Sequence, residues 1–314
     1  MGSKYEQIDL GKIRLLAIDE RCSLVDAKDF PPPAHLTTEQ AETLLKCFPP
    51  ILAGKEIRAL VGSLKRARET GAPRIWTMGA HPVKVGLSRH LIALMQAGFI
   101  THLAVNGACT IHDTEIACFG HTSEDVAGSI VCGEFAVTKE TGDIINKSIA
   151  RAYREGLGLG EALGEDIHLS KPPNPDLCLS ASCWRLGIPF TVHVAVGTDV
   201  VHIHPSSDGA ALGDASHRDF RIFAAGVSKL KGGVIVNLGS AVILPVIIEK
   251  AVAAARNLGF ELTGFDGYDL DFIRHYRTGL NPVKRAIESG GHGTHITGHH
   301  ELTIPILTSL LLAE

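Results

Sequence analysis

The feature that most restricts this chain is an alternation, beginning near residue 55, of short aliphatic runs with segments of helical period, most of the changes punctuated by glycine. Residues 55–70 place Ile57, Leu60, Val61 and Leu64 at helical spacing, and Gly71 and Pro73 stop that helix. A strand-like run over 74–78 ends at Gly79-Ala80-His81-Pro82, after which Ser88 can cap a helix that closes at Gly98. The run 100–105 ends at Asn106-Gly107-Ala108 and leads into a helix carrying His112, Asp113 and Glu115. Residues 120–175 read as an inserted excursion, with a helix near 143–155, a Gly-rich stretch and a Pro-containing loop. The rhythm then returns: a strand over 189–196, a polar loop over 197–214, a helix near 216–230, a strand over 234–236 ending at Asn237-Leu238-Gly239-Ser240, and a helix near 243–258.

Alternating β and α units predict a largely parallel sheet flanked by helices, with ligands held beyond the carboxyl ends of the strands. Apolar residues make up 45% of the 314-residue chain, enough for one large core. We therefore expect a single α/β domain over 51–314. Residues 1–50, with an extended Pro31-Pro32-Pro33 and a capped helix start at Thr37-Thr38-Glu39-Gln40, form an arm packing on the body or on a neighbouring subunit.

A net charge of -4 gives no general attraction to nucleic acid or an anionic membrane, and neither is expected as a partner. Seven cysteines stand singly, with no C-x-x-C pair, and are expected to be reduced. The first residues carry no apolar stretch, and no segment approaches ~18 uninterrupted apolar residues, so the expected compartment is the cytoplasm.

Glycines and polar residues gather at four predicted strand ends: Gly79-Ala80-His81, Asn106-Gly107-Ala108 with His112-Asp113, the loop His202 to Asp214, and Asn237-Leu238-Gly239. Such ends suit a pyrophosphate or carboxylate, because glycine permits close approach and the next helix offers unpaired N–H groups. No G-x-G-x-x-G follows a strand, and Walker A and G-x-S-x-G motifs are absent. The 16 histidines include His202-Ile203-His204-Pro205 and the group His292, His295, His299, His300-Glu301. These are read as structural or substrate-binding groups in preference to metal ligands.

The order of the clusters resembles the deoxyhypusine synthase-like family in a divergent, bacterial-type form, from about residue 74 to the end. His81-Pro82-Val83-Lys84 through Arg89 resembles the family's first cofactor turn, and Asn106-Gly107-Ala108 through His112-Asp113 stands where that family has T-A-G-G-V-E-E-D. Ser207-Asp208-Gly209-Ala210-Ala211-Leu212-Gly213-Asp214 is similar to its T-D-G-S-L-G-D, Asn237-Leu238-Gly239 to its G-G-G, and Phe265-Asp266-Gly267-Tyr268-Asp269 to its F-D-G-S-D.

The resemblance implies a modified Rossmann fold that binds NAD, a homotetramer with sites between subunits, and transferase or oxidoreductase chemistry on an amine-bearing or other small polar substrate. It implies cofactor contacts from Gly79, Ala80, His81, Asn106, Gly107, Ala108, Asp208, Gly209, Asn237, Leu238, Gly239, Asp266 and His299. Asp113, Asp214, Asp269 and Glu301 would hold the substrate, and Lys284, His112, His204 and His300 would be catalytic. The family's W-G-K lysine has its nearest counterpart in Lys284 of Pro282-Val283-Lys284-Arg285, where the Trp is missing, and its active-site His falls near Ile243. Two alternatives stay open: metal-assisted chemistry through the histidines on the same fold, and a non-catalytic ligand-binding protein.

Overall fold

A computed structural model describes residues 3–314. Among these, eight strands and fourteen α-helices follow one another along the chain. β1 (Ser23–Asp26) pairs antiparallel with β4 (His121–Glu124) as a small ribbon. The other six, β2 (Arg74–Met78), β3 (His102–Asn106), β5 (Phe190–His193), β6 (Val234–Leu238), β7 (Asp266–Asp271) and β8 (Gly293–Thr297), form one parallel sheet in the order β5-β3-β2-β6-β7-β8. Numbered by appearance within the sheet, that order is 3-2-1-4-5-6. Direction along the sheet reverses between β2 and β6, which is where α/β sheets open a crevice at their carboxyl edge.

The sheet is covered on both faces. Trp76, Met78, Leu103, Val105, Val236, Leu238, Tyr268, Leu270 and Ile296 pack under α2 (Leu52–Glu69), α4 (Ser88–Gln96), α5 (Gly107–Phe119) and α14 (His300–Leu311). Ile75, Ala104 and Ile235 pack under α10 (Gly209–Val227) and α11 (Ile243–Asn257). Each large side chain so buried contributes roughly 1.5–3 kcal/mol. The arm joins the first layer through α1 (Thr38–Cys47), whose Thr37 and Gln40 complete the capping box the sequence predicted. Its Thr38 N–H donates to the Glu314 carbonyl at the other end of the chain.

Strand-helix alternation stands as predicted, with different boundaries. Within the inserted excursion the Gly-rich stretch leads into a helix, α8 (Leu159–Ser170), following α6 (Val126–Cys132) and α7 (Lys139–Glu155). Gly160 serves close packing there, since a Cβ at that position would overlap the Phe190 carbonyl of β5. α9 (Leu179–Leu186), β7 and β8 are additions to the sequence reading. The two strands escaped it because one face of each is polar: Thr77, Asn237, Asp269 and His295 lie in register across four strands. They form one hydrogen-bonded row. Thr77 Oγ1 donates to Asn237 Oδ1 at 3.0 Å, Asn237 Nδ2 donates to Asp269 Oδ1 at 2.7 Å, and Asp269 Oδ2 lies 2.8 Å from His295 Nδ1. Burial of these groups is tolerated because each has a partner.

At the crevice the turns after β2 and β6 lie against each other. α3 (His81–Lys84) starts directly after Gly79-Ala80, and a Cβ added to Gly79 would fall 2.6 Å from the Gly239 carbonyl oxygen. Gly79→Ala is expected to force the two turns apart and destabilise the chain by about 1–3 kcal/mol, as overpacking does. Urea unfolding of the variant checks this, and an unchanged midpoint would show that the turns have room to spare.

Candidate active site

At the rim of the sheet, two sets of side chains stand close together, linked by α3. The first lies at the crevice. His300, the first residue of α14, is fully buried, and its Nε2 lies 3.1 Å from the Leu270 carbonyl. A carbonyl only accepts, so His300 Nε2 carries a proton. His81 Nδ1 lies 2.9 Å from His300 Nδ1, and His81 Nε2 has no partner among the described residues. Burial and the neighbouring His300 lower the His81 pKa, so this ring is neutral at pH 7.

The second set lines a cavity of about 180 Å3 between α3, the first turns of α5, β4 and the segment after β5. Lys84, Ala108, His112, Glu124, Thr198 and Asp199 are among its walls. Beneath it, Arg21 and Glu115 form a buried ion pair with two contacts, of 2.8 and 3.0 Å. Glu115 also accepts from Thr141 at 2.8 Å and from Thr122 at 2.5 Å. Having given its proton to Glu115, Thr122 Oγ1 can only accept from His112 Nδ1, 2.7 Å away. His112 is thereby fixed as the Nδ1–H tautomer, with Nε2 left unprotonated for the cavity. Burial holds its pKa down at about 4, against the pull of Glu115, so the ring is neutral at pH 7.

Asp199 closes the cavity over α5. Its side chain is only 8% exposed and lies on the first turn of the helix, where a Cβ at Gly107 would overlap the carboxylate. Burial pushes its pKa up to about 6, and the Ala108 N–H opposes that rise. Burial raises the Glu124 carboxyl as well. Lys84 brings a cation to the same wall and forms no ion pair among the described residues; its charge lowers the pKa of both His81 and His112, so it bridges the two sets. A neutral base, a carboxyl that titrates near pH 6 and a cation around one cavity at a strand end are the ingredients of proton-transfer chemistry. A larger hollow of about 360 Å3 lies beside Phe190 and Trp184 at the amino end of β5, but it gathers no such groups.

Of the residues singled out in the sequence, His112 and Ala108 line this cavity, Gly107 lies against the Asp199 carboxylate, and Asn106 caps α5 by accepting from the Cys109 N–H. Gly79, Ala80, His81, Gly239 and His300 sit at the crevice. His299 and Glu301 are exposed beside it, with their charged atoms 3.6 Å apart and the His299 ring stacked on Phe272.

The remaining candidates are placed elsewhere. Lys284 is 57% exposed and lies 3.8 Å from Glu288, between an irregular turn (Gly279–Lys284) joined to α12 (Tyr276–Thr278) and the short α13 (Arg285–Glu288). That turn packs against Gly267 and Gly293 at the amino ends of β7 and β8, the opposite edge of the sheet, so Lys284 does not reach the rim. Asp266 is at the same wrong edge, bonded to Ser63, Arg66 and the His292 N–H. Asp113 is fully buried and accepts from the Leu179 and Ser180 N–H groups, anchoring the start of α9. His204 packs flat on Gly142 of α7 and bonds Ser206. Asp208 caps α10 ahead of the exposed Gly209, and Asp214 pairs with Arg218 on the same helix. Asn237 and Asp269 belong to the cross-strand row, while Leu238 is core.

Sequence reasoning missed Asp199, Lys84, Glu124 and the Arg21–Glu115–Thr122 support. In the sequence Lys84 and Glu115 stood only as members of a turn and a helix and Asp199 within the polar loop over 197–214, while Arg21, Thr122 and Glu124 carried no signal. Among the described residues, no three His, Cys, Asp or Glu side chains gather as a metal ion would require, and no helix is long and apolar enough to cross a membrane.

No protein-family model and no curated protein sequence matches the chain. Among solved structures, unliganded AgrE superposes with a TM-score of 0.51 at 15% identity, and a mutant AgrE in a binary complex with L-arginine with 0.50 at 16%. Each match covers 81% of this chain and 32% of the AgrE chain, so this chain spans about a third of the length of those proteins. The matches also include a candidate deoxyhypusine synthase from Entamoeba histolytica, with a TM-score of 0.48 and 10% identity over 86% of this chain and 92% of that one. The Rossmann-like α/β fold expected from the sequence is the fold observed.

Two expectations test the site. Arg21→Met strands the buried Glu115 carboxylate and should cost about 3–5 kcal/mol, read as a fall in the urea midpoint. Asp199 gives a pH signature. Its folded pKa of about 6 exceeds the ordinary 3.8, so the folded state holds this proton more tightly. Asp199 therefore favours folding below about pH 4, and that contribution is lost as pH rises through about 6. Unfolding titrations at about pH 4 and about pH 7.5 should show Asp199→Asn gaining on the parent by up to about 3 kcal/mol at the higher pH; a pH-independent difference would mean that the carboxyl titrates normally.

Proposed function

We propose that this chain is an NAD-linked enzyme acting on a small polar substrate in the cavity lined by Lys84, Ala108, His112 and Asp199. The observation that carries this reading is the fixed tautomer of His112, held by the chain Arg21–Glu115–Thr122, with the ring on the cavity wall and Nε2 without a partner among the described residues. A general base needs an unprotonated nitrogen within reach of the substrate and a partner that sets its orientation. Both conditions are met at His112.

Within that reading His112 Nε2 takes a proton from a substrate hydroxyl or amine, and Thr122 and Glu115 stabilise the imidazolium through Nδ1–H. Lys84 orients the polar end of the substrate. The cavity volume of about 180 Å3 suits a small metabolite and is too small for a dinucleotide.

The crevice beside it is where NAD would be held. There the N–H groups of Ala80 and His81 after β2, and of Ala241 and Val242 before α11, meet no acceptor among the described residues. Unpaired donors at a switch point suit a pyrophosphate, and those four residues would hold it. The bound cofactor would supply hydride transfer. α3 places His81 at that crevice and Lys84 at the cavity, so cofactor and substrate would meet across one helical turn. The AgrE likeness supports the fold of this reading, and the amine-bearing class of substrate comes from the motif resemblance.

A panel of small amines, amino acids and hydroxy acids, followed by the absorbance of reduced NAD, tests it. Turnover should fall by about 10²–10⁴-fold in His112→Gln while NAD affinity is retained. Equal turnover in parent and variant removes His112 from the chemistry, and failure of the folded parent to bind NAD removes the cofactor.

A further inference from the structure

Asp199 stands where a ligand's charge would be expected. The N-terminus of a 13-residue helix, α5, offers unpaired N–H groups and the positive end of its dipole beyond the carboxyl end of β3. In this chain the position is filled from within, by a carboxylate over Gly107 that faces the Ala108 N–H.

A second group points at the same spot. His202 accepts the Gly197 and Asp199 N–H groups on Nδ1, at 3.1 Å each, which fixes its proton on Nε2. That Nε2–H is buried and makes no hydrogen bond among the described residues, and the side chain is 5% exposed. Asp199 Oδ2 stands 3.7 Å from it, beyond hydrogen-bond reach. An unpaired buried donor is costly, and one aimed at an anion position asks for a better-placed acceptor. Lys84, across the cavity, adds a cation.

We propose that the first turn of α5, His202 Nε2–H and Lys84 form a seat for an anionic group of the ligand, a phosphate or a carboxylate, and that Asp199 is an internal plug which the ligand displaces. The proposal rests on the reading of this cavity as the substrate site and specifies what its substrate carries. An incoming oxyanion would take over the α5 N–H groups and approach the His202 donor more closely than Asp199 does. The Asp199 side chain, on the irregular run 197–199 between β5 and the 3-10 turn at Val200–His202, would swing outward. Self-occupancy lowers apparent affinity by the fraction of molecules with the seat open. The device would favour ligands whose charge is strong enough to outcompete a carboxylate.

Calorimetric titration with inorganic phosphate and, in parallel, with acetate tests the seat on the intact chain. Asp199→Asn, a neutral isostere, should bind at least one of these probes about tenfold more tightly than the parent, because the plug no longer competes. The probe with the larger gain identifies the anion class. Adding His202→Phe to Asp199→Asn should abolish the gain. Equal affinity in parent and Asp199→Asn, or a gain that survives loss of His202, overturns the proposal. Should Asp199→Asn not fold, the parent carries the test: excess phosphate or acetate should shift the amide resonance of Ala108 and the imidazole resonance of His202, and no shift with either anion rejects the seat. The two readings fail separately. Loss of turnover in His112→Gln without anion binding leaves the enzyme and removes the seat, whereas anion binding with unimpaired turnover in that variant does the reverse.

Discussion

The buried pair of Arg21 and Glu115 is the contact on which the site depends. Neither charge is tolerable in the interior alone, and the guanidinium matches both carboxylate oxygens while Thr122 and Thr141 satisfy the remaining lone pairs. Through this pair the N-terminal arm is locked to α5, the β1–β4 ribbon is locked to both, and a hydroxyl is left whose only remaining role is to accept from His112. The orientation of one imidazole is thus set by a residue from a distant part of the chain.

The histidines show how much environment decides. His102 and His193 share the Thr191 hydroxyl under α10, and burial drives their pKa values down to about 3, so both are neutral structural groups. His204 fills the space above Gly142, and His295 ends the cross-strand row. His112 shares with His295 an Nδ1–H held by a partner that accepts, but His112 lies on the wall of the cavity beside Lys84 and Asp199. His202 is the mirror image of His112, with its acceptor nitrogen occupied and its donor unused. The His112 assignment follows from Thr122, whose proton goes to Glu115, and the His202 assignment from two backbone N–H groups that can only donate.

Helix starts at the rim also divide by what fills them. Asp208 spends its carboxylate on the first turn of α10, and Asp113 on that of α9. These are caps, with ordinary stabilising effect. Asp199 differs from these in its surroundings: it lies over Gly107 on the wall of the cavity that also holds Lys84 and His112.

The class of architecture was legible before any coordinates, because hydrophobic period is a local property: β2, β3, β5 and β6 stood out as aliphatic runs, and the helices around them through spacing and caps. Two glycine turns at the rim were legible in the same way. β7 and β8 were not, since their alternate residues are polar and are satisfied only by neighbours across the sheet. Nor could Lys284 and Asp266 be told from rim residues, because motif wording does not state which end of a strand a residue occupies. The site proper came from the packing of the chain. Asp199, Lys84, His112 and Arg21 belong to four separate segments, and their tautomers, charges and burial exist only once the sheet order has drawn those segments to one edge.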